Sequence, residues 1–111
     1  MNISNNNLKI KVMKKLETVL NEIPQLENFQ SSTGKKVANQ FKVITNEGVF
    51  FKSYDTFIAA KLDDGRILLD FKSWDCSNTT SKYRNQFLNL DKKETLKLIA
   101  SGDIQLVDLN A

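Results

Sequence analysis

Two tight-turn signals, Asn46-Glu47-Gly48 and Asp64-Gly65, constrain this chain more than any other feature. Asp-Gly is a strong hairpin signal, and Gly48 is suited to a left-handed backbone position that closes a reversal. The segments flanking them read as strands. Phe41, Val43 and Thr45 alternate with Gln40, Lys42 and Ile44 on the way into the first turn. Val49 to Tyr54 returns, with Val49 and Phe51 on one face. Thr56 to Leu62 then runs to the second turn and Arg66 to Phe71 runs back, although Phe57-Ile58-Ala59-Ala60 has no clear period and is open to a helical reading. Hairpins of this kind imply an antiparallel sheet.

Helices flank these strands. Leu8, Val12, Met13, Leu16, Val19, Leu20 and Ile23 recur at three- and four-residue spacing, one apolar stripe of an amphipathic helix that Pro24 ends. Gln25 to Lys36 reads as a linker centred on Ser31-Ser32-Thr33-Gly34, pinned to the core by Leu26 and Phe29. A further helix starts near Thr79 or Thr80 and carries Tyr83, Phe87 and Leu88 inward. Asp91 to Glu94 has capping-box spacing, and the helix behind it uses Leu96, Ile99 and Ala100 before Gly102. Ile104 and Leu106 form a short last strand. The expected architecture is α+β: an N-terminal helix, a four-stranded mostly antiparallel sheet of hairpins, two C-terminal helices and a short last strand. It forms a single domain over 1–111, with 1–38 as N-terminal helix and linker and 39–111 as sheet and C-terminal helices.

Composition excludes several chemistries. Among 111 residues there is no His, so the commonest general base and metal ligand is missing. One Cys without His rules out the usual zinc sites, and no Gly-rich phosphate loop occurs. A lone Cys suits a reducing compartment, and the expected location is the cytoplasm. No apolar run is long enough to span a bilayer. Cys76 reads as a packed thiol. Asp63, Asp64, Asp70 and Asp75 are a conceivable carboxylate set, of which Asp70 and Asp75 are too few for a hard cation. The expectation is a protein that is not an enzyme and takes no cofactor and no metal.

The densest polar run lies between Trp74 and Leu88. Two readings compete there. Ser77, Thr79, Thr80, Lys82 and Arg84 at a helix start could receive a phosphate, with Trp74 or Tyr83 stacking a base. Alternatively the hydroxyls cap the helix, Asp75 accepts backbone N–H groups, Trp74 and Tyr83 pack inward, and Lys82 and Arg84 are solvated. A net charge of +3 decides nothing. Phe50 and Phe51 point to opposite faces of an extended strand, so one of them is a candidate exposed anchor for a protein partner.

Asn39-Gln40-Phe41, Ser53-Tyr54-Asp55 with Ile58-Ala59, Leu69-Asp70, and above all Trp74-Asp75-x-Ser77-x-Thr79-Thr80-x-Lys82-Tyr83-Arg84-x-x-Phe87-Leu88 resemble a family of short, uncharacterised proteins of bacteriophages and mobile elements. The resemblance covers residues 39–109 and leaves the helical segment before residue 39 outside it. It departs from the family pattern at Cys76, where an aromatic residue is expected, and at Lys52, where Gln is expected. It implies a phage-borne accessory protein and transfers no functional residue. The resulting expectation is a non-enzymatic protein that binds and inhibits a host factor, with an anti-CRISPR or other anti-defence role as its most concrete version. The host protein would be a CRISPR effector or another defence nuclease, met through Phe50, Trp74, Lys82, Tyr83 and Arg84. The alternative is a small nucleic-acid-binding protein that uses the helix start at Thr79–Arg84 and the basic first helix.

Overall fold

The computed structural model describes residues 24–111. Six strands form one sheet in the order of the chain: β1 (Gln25–Gln30), β2 (Lys36–Thr45), β3 (Gly48–Ser53), β4 (Thr56–Leu62), β5 (Ile67–Asp70) and β6 (Ile104–Val107). Neighbours from β1 to β5 are antiparallel, whereas β6 is parallel to β5. Helices α1 (Asn78–Leu88) and α2 (Lys92–Ser101) both lie between β5 and β6 in the chain. A parallel return needs a long crossover, and the helix pair supplies it.

The α+β class holds, and the four-stranded sheet is corrected to six strands of mixed direction. The expected linker at Gln25–Lys36 contains an edge strand, β1, with its turn at the Ser31–Gly34 centre, where Gly34 N donates to Ser31 O at 2.9 Å. Phe29 pins β1 to the core, but Leu26 is exposed. The expected N-terminal helix over residues 8–23 lies outside the described residues.

Period-two alternation gives the sheet two buried faces. On one, Phe29, Phe51, Ile58, Ala59, Leu69 and Ile104 pack against Tyr83, Phe87 and Leu88 of α1, with Leu98 and Ile99 of α2 alongside. Aromatic rings dominate this core: Phe29 lies 5.0 Å from Phe51, 5.5 Å from Tyr83 and 6.4 Å from Phe87, centroid to centroid. On the other face, Val43, Phe50, Ala60, Leu68, Val107 and Leu109 form a second cluster. Phe50 and Phe51 do face opposite ways, and both are buried, which corrects the expected exposed anchor.

A bulge explains the ambiguous stretch at Phe57–Ala60. The register passes from Phe51↔Ala59 to Lys52↔Phe57, leaving Ile58 unpaired. Ile58 and Ala59 therefore both join the helix-side core, and the alternation resumes at Ala60. The α2 stripe is likewise shifted by one residue. Thr95 is its buried position and Leu96 is exposed, so the inward stripe is Thr95, Leu98 and Ile99.

Gly48 closes the β2–β3 turn at φ 145°, and a Cβ there would lie 2.3 Å from the Lys61 carbonyl oxygen. Gly48→Ala is expected to destabilise the fold by more than about 1 kcal/mol, since backbone and not a pliable side chain blocks the added methyl. Urea titration measures it.

Candidate polar clasp and surface at one end of the sheet

The segments 39–41, 53–57, 69–70 and 74–84 meet at one end of the sheet, where β2 begins, β3 ends, β4 begins and β5 ends, and α1 then runs along the sheet until Phe87 O accepts from Lys61 Nζ at 2.7 Å. Asn39 and Tyr54 both have left-handed backbones, φ 64° and 53°, and Tyr54 N donates to Asn39 O at 2.7 Å. Asn39 lies in the irregular part of the β1–β2 pairing, where Asn28 Nδ2 donates to Val37 O at 2.9 Å. Ser53 Oγ lies 3.3 Å from Thr80 Oγ1 and ties β3 to the first turn of α1.

The chain between β5 and α1 is held by two carboxylates. Buried Asp70 accepts from Ser73 N at 2.9 Å and from Leu109 N at 3.0 Å, so it fixes this loop and the C-terminal tail together. Asp75 accepts from Arg84 Nη1 at 3.0 Å and Ser81 Oγ at 2.9 Å, and its other oxygen lies 2.7 Å from Lys92 Nζ. Thus Asp75 joins the loop to both helices.

Arg84 is the centre of this clasp and is 0% exposed. Besides Asp75, its Nη1 donates to Trp74 O at 2.7 Å, and Nη2 donates to Asn85 Oδ1 at 2.7 Å. The guanidinium sits 5.1 Å from the centroid of the half-buried Trp74 ring. A planar fork can make these contacts together, whereas a lysine ammonium cannot. The expectation that Arg84 is solvated or grips a phosphate is corrected, because its donors point into the protein.

The other positions singled out at this end divide between interior and surface. Ser77 is the α1 N-cap, with its Oγ accepting from Thr80 N at 3.1 Å and donating to Thr80 Oγ1 at 3.0 Å. Thr80 and Tyr83 are buried; Thr79 and Lys82 are exposed, with Lys82 Nζ 5.5 Å from the Tyr83 ring centroid. Phe50 is far from this group in packing terms, inside the core on the opposite face. Cys76, expected to be packed, is exposed. Asp63 and Asp64 belong to the β4–β5 turn, where Asp64 accepts from Arg66 N and Nε. No group of three or more His, Cys, Asp or Glu side chains that could hold a metal ion occurs among the described residues. None of the described helices is long and apolar enough to cross a membrane.

The hydrogen bond from Lys92 is the main cause that draws the Asp75 carboxyl down to about 2, from an ordinary 3.8. Bonds from Ser81 and Arg84 add to it and partial burial opposes it. A carboxylate with a depressed folded-state pKa stabilises the fold above its unfolded pKa, and this contribution fades as pH falls through the folded value. The stability difference between the wild type and Asp75→Asn is therefore expected to be full at pH 5–7 and to shrink between about pH 4 and pH 2. Denaturant titrations at each pH measure it. Added salt should weaken the Lys92 part, since that side chain is 56% exposed.

The sequence pattern carried an unused clue to the Arg84 position. Thr80, Tyr83, Arg84, Phe87 and Leu88 fall at i, i+3, i+4, i+7 and i+8, which places Arg84 within the buried stripe of α1. In the sequence Tyr54 reads only as the last residue of the strand that returns from Val49, and nothing nearby signals a left-handed exposed tyrosine.

No curated protein and no solved structure matches the chain. Residues 23–103 match the model of a family of unknown function (DUF8033). This match takes in β1 and so begins well before residue 39, where the motif resemblance starts. With most of its length covered, from the start of the sheet through both helices, the chain belongs to that family of unknown function (DUF8033).

Proposed function

We propose that the protein is a non-enzymatic binding protein of phage type that engages and inhibits a host factor, in its most concrete form an anti-CRISPR or other anti-defence protein. The phage context rests on the motif resemblance at residues 39–109. The observation that carries the binding role is Tyr54, which is 62% exposed while its backbone sits at φ 53°. A left-handed tyrosine is strained, and such positions collect at functional sites. Its ring contributes little to the core, so a partner is the natural use of an exposed aromatic held this way. Phe71, 48% exposed, lies at the same end of the sheet and enlarges the apolar surface.

Against the nucleic-acid alternative, Arg84, Ser77 and Thr80 are engaged within the molecule, while Thr79 and Lys82 stay exposed. Tyr54→Gly separates a binding role from a structural one. Glycine relieves the left-handed strain, so thermal stability is expected to hold or rise. Capture of the host partner is expected to fall at least about tenfold, the loss typical of a central interface aromatic. Undiminished capture by this variant would contradict the proposal.

A further inference from the structure

The β5 side of β4 is only partly paired. β5 accompanies β4 from Ala59 to Lys61, and its chain then turns away, with Phe71 N donating to Val107 O of β6 at 2.8 Å. Among the described residues, no strand lies beside Thr56, Phe57 and Ile58 on that side. One side chain takes its place. Asn110 Oδ1 accepts from Phe57 N at 2.7 Å, and Asn110 Nδ2 donates to Phe57 O at 2.8 Å. A residue of an antiparallel strand makes the same pair of bonds when it exchanges N–H and C=O with the residue opposite. The asparagine amide, which both accepts and donates, stands in for that residue. Its attachment is light. Asn110 is exposed, and its own backbone N–H is held by Asp108 Oδ1 at 2.9 Å. The residue before it is fixed by other means, since Leu109 is buried and its N–H donates to Asp70 Oδ1 at 3.0 Å. The amide can therefore leave Phe57 while Leu109 stays in place.

We propose that the Phe57 edge of β4 is a docking position for an extended segment of a partner protein, and that Asn110 occupies it in the free molecule as a detachable latch. The proposal rests on the binding role given above and supplies its mode, strand addition through main-chain hydrogen bonds. What the edge offers is one N–H and one C=O, already matched by an amide, so its ligand is a peptide backbone. The place agrees with the exposed tyrosine, because Tyr54 precedes Phe57 by three residues in the turn that opens β4. The latch also sets the affinity. A ligand that needs the open edge binds more weakly in proportion to the fraction of molecules in which the edge is open.

Hydrogen exchange on the full-length protein tests the latch. The Phe57 amide is expected to exchange at least about tenfold faster than the Leu109 amide, corrected for intrinsic rates, because the latch opens by itself. Asn110→Ala is expected to speed exchange at Phe57 further and to leave Leu109 within about twofold. Equal protection of the two amides overturns the proposal. Docking is tested with an acetylated, amidated hexapeptide of alternating threonine and valine, followed through the NMR shift of the Phe57 amide. The Asn110→Ala protein is expected to bind this peptide at least about threefold more tightly than the unaltered chain. Equal affinity, or no shift at Phe57 in either protein, overturns the proposal. A shift at Phe57 that grows with protein concentration in the absence of peptide also overturns it and identifies a second copy as the occupant. A negative peptide result beside lost capture by Tyr54→Gly removes strand docking and leaves the binding role standing.

Discussion

Arg84→Ala is expected to lower stability by about 3 kcal/mol, a drop in Tm on the order of 10 °C or more. The substitution removes four contacts at once. Trp74 O and Asn85 Oδ1 lose their donors, and the Trp74 ring loses the cation beneath it. Asp75 loses one of its two cationic partners but keeps Lys92. Its side chain is 29% exposed and can recover some hydration, which holds the cost at the lower end for a broken buried pair. Arg84→Lys should recover little, because an ammonium cannot serve a carbonyl, a carboxylate and an amide in one plane. Thermal unfolding followed by circular dichroism reads both variants. A fully folded Arg84→Ala protein of unchanged Tm would show that Arg84 serves something outside the molecule.

Phe51→Ala is expected to cost about 3–5 kcal/mol, the largest effect of any single truncation considered. Phe51 is completely buried at the centre of the helix-side face. Its ring lies 5.0 Å from that of Phe29 on β1 and 5.9 Å from that of Phe87 on α1, so it joins the sheet edge to the helix. Rings at these distances and tilts gain beyond simple burial. The side chains around it are themselves buried and closely packed, so the space it leaves cannot collapse easily. Phe51→Leu keeps most of the volume and should cost about 1 kcal/mol. The two variants compared by urea unfolding report the cavity directly.

Much of the fold was legible in the sequence where local chemistry and packing agree. The turns at Gly48 and Gly65 and the caps at Ser77, Asp91 and Gly102 are local devices, and each closes the element that its residues suggest. The failures have physical causes. β1 presents only Phe29 to the core and lies at an edge, so its sequence, Gln25 to Gln30, resembles a polar linker. The bulge at Ile58 breaks the alternation that would have identified β4 with certainty. The parallel pairing of β6 follows from a crossover of two helices, which no short window of sequence records.

The candidate site was legible as a location more than as a chemistry. The run from Trp74 to Leu88 does organise one end of the molecule, yet its polar side chains bind one another. Lys82 and Arg84 look alike in the sequence, but two positions along a helix turn one to solvent and the other to the core. The exposed large apolar side chains at that end are Tyr54 and Phe71, whose accessibility depends on how distant segments meet.

The measurement that bears most directly on the binding role is affinity capture by the full-length protein from a bacterial lysate, with mass spectrometry, with and without nuclease. The proposed role predicts one stoichiometric host protein that survives nuclease treatment and is lost with Tyr54→Gly. Recovery of many proteins that all vanish with nuclease would contradict it and make nucleic acid the partner.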